Sequence, residues 1–194
     1  MSVRDELGNV CNHQVRLHFR SIGIPRVPEM TALRNAQRVY GRYAIAISFA
    51  NGESLGLSET EWLTLNVLDG QCKWDAVSDE QNVLYGMGDV QTVTPTDVLV
   101  YYVNGIREPD GNTLAGCAGH APGRPCVAVS AVGSQWTLAH ELAHVLLGSS
   151  FTPVHATQST NLMYSPTAGI TANPPGLTDA QLTAIRASRY CVRC

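Results

Sequence analysis

No stretch of this 194-residue sequence approaches the roughly 18 to 20 consecutive apolar residues that a membrane-spanning helix needs. The longest apolar runs, Tyr43 to Ala50 and Val98 to Val103, are strand-sized, so a soluble protein is expected, with no membrane partner. Charge is scarce as well. Charged residues make up 15% of the chain, and 13 Lys and Arg against 16 Asp and Glu leave a net charge of -3. The basic residues are scattered and form no stripe, which excludes the electrostatic footprint of a nucleic-acid partner. The first residues, Met1, Ser2, Val3, Arg4, Asp5 and Glu6, have neither the basic n-region nor the apolar h-region of a secretory signal. Any export signal is expected to have been removed or to be unconventional. Internal repeats, low-complexity tracts and long polar tails are also missing.

What is present describes one folded unit. A hydrophobic fraction of 44% over 194 residues suits a single domain with a real core. Six cysteines, Cys11, Cys72, Cys117, Cys126, Cys191 and Cys194, form an even set that favours disulfides and an oxidising, secreted or extracytoplasmic setting. Cys117 and Cys126 flank a Gly- and Pro-rich loop of eight residues and are expected to close it; the other four allow three pairings. Cys191 and Cys194 form a CxxC without the second pair that a structural zinc site needs.

Val15, Leu17 and Phe19 alternate with Arg16, His18 and Arg20, the period of a half-buried strand, which sends His18 toward solvent. Met30, Leu33, Ala36 and Val39 then recur at helical spacing after Pro28, and Ala44 to Ala50 reads as a strand closed by Asn51 and Gly52. The stretch Leu55 to Gly88 fits neither period and reads as an insertion with short elements. Asp97 to Val103 is a buried strand, Asn104 to Gly123 a glycine-rich loop, and Val127 to Val132 a further short strand. Ser134 is a plausible N-cap for a helix over Gln135 to Leu147 that stops at Gly148. Thr178 to Gln181 matches a capping box that opens a last helix carrying Leu182 and Ile185.

Inside the helix before Gly148, His140, Glu141, Leu142, Ala143 and His144 spell HExxH. Four residues on a helix bring two imidazoles to one face, one turn apart, so both can reach a single zinc ion with Glu141 beside it. A catalytic zinc keeps three protein ligands and an open position for water. A chance motif on a structural helix is the plainer reading, and a third ligand decides between them. No Glu follows Glu141, and Asp179, the only acid in the last 53 residues, sits where helix-dipole pairing explains it. Among the six histidines, His13 and His18 fall near the first strand and His120 in the glycine-rich loop. His155 is the third ligand by elimination.

From His155 the chain runs His155, Ala156, Thr157, Gln158, Ser159, Thr160, Asn161, Leu162, Met163, Tyr164, with a Met eight residues after the His. This resembles the segment from the third His to the Met-turn in matrixin-like metzincins, whose consensus is HExxHxxGxxH followed by that turn. Gly148 is one residue late, position 150 is Ser, and His155 lies eleven residues after His144 instead of six, as an insertion around Ser149 to Pro153 would produce. The resemblance implies a zinc metalloendopeptidase with one catalytic Zn2+ on His140, His144 and His155. It makes Glu141 the general base and Met163 a hydrophobic base under the histidines. It also implies an α+β fold: a twisted mixed β-sheet with backing helices and an active-site helix, then a small loop-rich C-terminal subdomain with one helix. The upper subdomain would be residues 1–148 and the lower 149–194 of one catalytic domain. An edge strand within Leu114 to Ser130 would bind an extended peptide or protein substrate, and Tyr164 to Pro175 would line the specificity pocket. Ser165, not a Tyr, stands where some subfamilies place an extra ligand. A monomer is expected. Two rivals are a non-catalytic zinc-stabilised binding module, against which the retained Glu141 argues, and a peptidase toxin or effector.

Overall fold

The computed structural model describes residues 4, 8, 10–70, 72, 77–89, 91–120, 123 and 125–194; the N-terminal signal reading at 1–3, 5 and 6 lies outside them. Strand β1 (His13–Ser21) forms on the alternation of Val15, Leu17 and Phe19, all of them buried. Pro28, which has no N–H to lose, precedes helix α1 (Glu29–Gly41), and that helix turns Leu33, Ala36, Val39 and Tyr40 into the core. Strand β2 (Ile45–Ser54) runs through Asn51 and Gly52 instead of stopping there. A bulge explains this: Leu17 pairs with Phe49 but His18 with Asn51, so Ala50 is absorbed and the ladder resumes.

The poorly patterned stretch that follows carries helix α2 (Glu59–Leu65), strand β3 (Val67–Asp69) and helix α3 (Asp79–Tyr85). Both helices open on capping boxes, Ser58 with Glu61 and Ser78 with Gln81, which is how helices this short satisfy their first N–H groups. Strand β4 (Val98–Val103) is buried at every position. The glycine-rich loop contains two short strands, β5 (Gly105–Arg107) and β6 (Gly116–Cys117), and strand β7 (Cys126–Ser130) follows. Helix α4 (Thr137–Leu147), a 3-10 turn at Thr167–Gly169, helix α5 (Asp179–Ala187) and strand β8 (Val192–Arg193) complete the chain.

The main sheet has the order β2-β1-β4-β7-β6, with β8 added to the start of β1. The pairs β1/β2, β1/β4 and β4/β7 are parallel and β6/β7 is antiparallel, so β6 is an antiparallel edge strand on a parallel sheet. Val15, Leu17, Phe19, Val98, Val100 and Tyr102 face a core shared with α1, α4 and α5. Leu99, Tyr101 and Val103 face a second core with Leu65, Leu68, Leu84 and Ile106.

This second layer corrects the reading of His18. The residue is not solvent-facing but fully buried, with Nδ1 3.0 Å from Asn51 Oδ1 and Nε2 3.0 Å from Asp97 Oδ2. A period of two sets only which side of a strand a residue takes, and here both sides are covered.

The disulfide expectation is also corrected. Cys117 pairs with Cys72 across a Cα separation of 5.1 Å, and Cys11 pairs with Cys194 at 6.1 Å. The register places Cys117 opposite Ala128, which leaves Cys126 on a diagonal. Diagonal Cα atoms lie about 7–8 Å apart, beyond the usual reach of a disulfide.

Candidate metal centre

Helix α4 is buried at nearly every position, between the sheet and the C-terminal segment. It begins two residues later than expected. Thr137 Oγ1 accepts a hydrogen bond from the Ser134 backbone N–H at 2.8 Å, and Ser134 Oγ accepts one from Trp136 N–H at 3.3 Å. These local bonds hold a turn where the sequence suggested the first helical residues. At the other end Gly148, with φ +75° and ψ 171°, takes an extended positive-φ conformation that residues with a Cβ rarely adopt, and the helix stops there.

The helix repeat brings His140 and His144 together, with their Nε2 atoms 3.0 Å apart. His155 returns from the loop after Gly148 to complete the group, and the ligand-bearing atoms of all three lie within 4.8 Å of one another. The His155 ring stacks near-parallel to that of His140 and meets that of His144 edge-on, with centroids 5.4 and 5.0 Å away. His155 is exposed while His140 is buried, so the group opens on one side.

The tautomer of His140 follows from its neighbour. Its Nδ1 lies 2.8 Å from the Leu162 carbonyl oxygen, which can only accept, so Nδ1 carries the proton and Nε2 presents a lone pair to the group. Burial pushes His140 down to about 4, against the Leu162 bond, which raises it, and with a smaller lowering from His155. Burial, then His140 and His155, pushes His144 down to about 3, and burial lowers His155. All three are neutral at neutral pH, the state a metal requires. Small rotations would bring three such nitrogens to the roughly 2.0–2.1 Å of Zn–N bonds. The residues fit the ion.

Glu141 is 6% exposed, and burial alone pushes its carboxyl up to about 8; a dication beside it would act in the opposite direction. It lines a cavity of about 480 Å3 together with the three histidines, Gly116, Cys72 and Thr167.

These shifts set an expectation for the metal-free protein. A histidine whose folded value falls below its ordinary 6.5 costs stability as pH drops through the window below 6.5. A carboxyl raised from 4.5 to about 8 costs stability as pH rises through that window. Between 4.5 and 6.5 His140 and His144 together outweigh Glu141, and above 6.5 Glu141 acts alone. Chelator-treated protein should therefore be most stable near pH 6.5. Denaturant midpoints that climbed steadily from pH 6.5 to 8 would contradict the account.

The structure also supplies supporting residues that the sequence did not single out. Asn161 Oδ1 accepts from Met163 N–H at 2.8 Å, and its amide donates to Gln181 at 2.9 Å. The capping-box residue of α5 thereby shapes the turn that carries Leu162 and Met163. Met163 is wholly buried, and its carbonyl accepts from the Ala156 N–H at 2.8 Å, which ties that turn to the residue after His155. Thr137 and Thr167 share a hydroxyl bond of 2.9 Å across the cleft floor. Asn161, two residues before Met163, and the paired capping Gln181 were the visible signals.

No protein-family model matches the sequence, and no curated protein does. Solved structures match the fold. Metalloproteinase-II from Bacteroides fragilis superposes with a TM-score of 0.57 at 14% identity, over 95% of this chain and 56% of that one. Archaemetzincin from Methanopyrus kandleri gives 0.55 at 14% identity, over 90% and 94%. The chain thus spans little more than half of the Bacteroides protein. The fold is α+β and metzincin-like, with a twisted mixed sheet and, among the described residues, five α-helices.

Proposed function

We propose that the chain is a zinc-dependent endopeptidase. The observation that carries this reading is the convergence of three neutral imidazoles beside the buried Glu141 carboxyl, at the wall of a cleft. His140, His144 and His155 would hold one zinc ion, which when bound supplies Lewis acidity to a carbonyl oxygen and to water. Glu141 takes a proton from the water as its oxygen adds to the scissile carbonyl carbon. It returns that proton to the amide nitrogen as the C–N bond breaks, leaving a carboxyl and an amine. Met163, buried where the 156–164 segment is tied together, serves as the base under the histidines.

The substrate is a peptide or protein in extended form. Thr113, Leu114, Ala115 and Gly116 line the cleft and lead into β6 at the sheet edge, where a peptide can add as a further strand through backbone hydrogen bonds. Ser165, Pro166 and Thr167 line the same cleft and form the wall of the specificity pocket, a role consistent with a matrixin-like arrangement of this region. The protein acts as a monomer. Two disulfides suit an oxidising, extracytoplasmic setting, and no described helix is long and apolar enough to cross a membrane.

Purified protein should carry one zinc per chain and cut peptides blocked at both termini. A chelator should abolish cutting and added zinc restore it. Protein that takes up no zinc, or that holds one ion and cuts nothing in a mixed blocked-peptide library, would defeat the reading.

A further inference from the structure

Gly116 lies on the edge strand directly over the Glu141 side chain. Its partner in the ladder is Val129, a residue of the core that contains α4, so position 116 faces that helix, while Cys117 faces the other way, toward the second core. A Cβ at 116 would stand 2.6 Å from Glu141 Cγ, 2.8 Å from Glu141 Oε1 and 2.8 Å from Thr137 Cγ2. Carbon atoms in contact prefer about 3.5–4.0 Å, so any side chain here must displace something.

What would give way is decided by the surroundings. The strand is pinned before and after Gly116: Ser130 N–H donates to the Ala115 carbonyl at 3.0 Å, the Ser130 hydroxyl donates to the Leu114 carbonyl at 2.7 Å, and the next residue, Cys117, is bonded to Cys72. Helix α4 is held by its burial and by the Leu162 bond to His140. The softest party is the Glu141 side chain, which has three rotatable bonds and, among the described residues, no anchor of comparable strength.

We infer that Gly116 is a positioning residue: the bare backbone of β6 is the surface against which the Glu141 side chain is set, and its lack of a Cβ keeps the carboxylate beside the metal ligands. The role rests on the zinc-peptidase reading. It also goes beyond it, since it assigns to the rim strand a part in the proton transfer as well as in holding peptide. The two uses share one backbone. The strand offers its in-plane N–H and C=O groups to a substrate, while the face toward α4 bears on Glu141.

The test is Gly116→Ala in the zinc-loaded protein. Zinc stoichiometry, zinc affinity and the absorption spectrum of the cobalt-substituted protein should match the parent, because the three atoms nearest a Cβ at 116 belong to Glu141 and Thr137 and none to a histidine. KM should stay within a few-fold, and kcat should fall about 100-fold, the scale expected when a reacting group is misplaced by about 1 Å. In a Glu141→Gln background the same substitution should cost nothing further, since it acts through the carboxylate. A second variant, Gly116→Ala with Thr137→Ser, removes the collision with Thr137 Cγ2 and keeps the hydroxyl. It relieves strain on folding yet should remain impaired, because the overlap with Glu141 persists. Parental kcat in either variant, or a further loss in the Glu141→Gln background, overturns the role of Gly116. A parent protein that binds zinc and cuts no peptide overturns the proposed function itself, and this role with it.

Discussion

Glu141→Gln protein should bind zinc as the parent does and hydrolyse peptides about 10²- to 10⁴-fold more slowly. The magnitude is that of a positioned general base. Gln is the informative substitution because it keeps the length and shape that fit under Gly116, whereas a truncation would open a void between β6 and α4 and confound chemistry with packing. The amide cannot accept the proton from water, so the loss should appear in kcat. The folded protein should not suffer, since a neutral side chain replaces a carboxyl that burial already pushes toward its neutral form. The check is a pair of measurements on one sample, metal content and single-turnover cleavage. Near-parental turnover with full zinc would remove Glu141 from the mechanism.

His155→Ala should lower zinc affinity and activity together. Losing an outer partner of a ligand typically weakens a metal site 10- to 100-fold, and losing a ligand itself should cost at least about 100-fold. The variant is clean, because His155 is exposed and comes from a loop, so the metal-free fold should melt close to the parent. The difference should emerge when zinc is added. A ligand stabilises a protein in proportion to RT ln(1 + [L]/Kd), and a zinc titration followed by melting temperature reads the weaker site directly. Should the variant bind zinc and cut peptides like the parent, the third ligand lies elsewhere. His120 would be the next residue to test.

The stretch expected to hold short elements between β2 and β4 carries two helices whose only mark in the sequence is the cap. Ser58 to Glu61 and Ser78 to Gln81 carry the same capping-box spacing that marked the start of α5 at Thr178. Each helix has only seven residues, too short for a hydrophobic period to stand out. The cap was the surviving signal. Strand β1 shows the opposite case. Its alternation places Val15, Leu17 and Phe19 in the core but says nothing of how buried His18 is, because a half-buried strand and a strand buried on both faces share one local pattern until the covering layer is known.

The sequence by itself determined what depends on neighbours along the chain. The 3.6-residue repeat of α4 sets His140 and His144 on one face, one turn apart, and Gly148 ends that helix. These are consequences of short-range geometry, set by the helix itself before distant segments pack against it. Tertiary structure alone decided that Cys117 joins Cys72 and that His18 meets Asp97. It also decided that Gly116 lies against Glu141 and that Leu162 orients His140. Each of those contacts joins residues more than twenty positions apart. Their pairing is set by sheet register and layer packing, which sum weak preferences over the whole core and leave no mark at any one position.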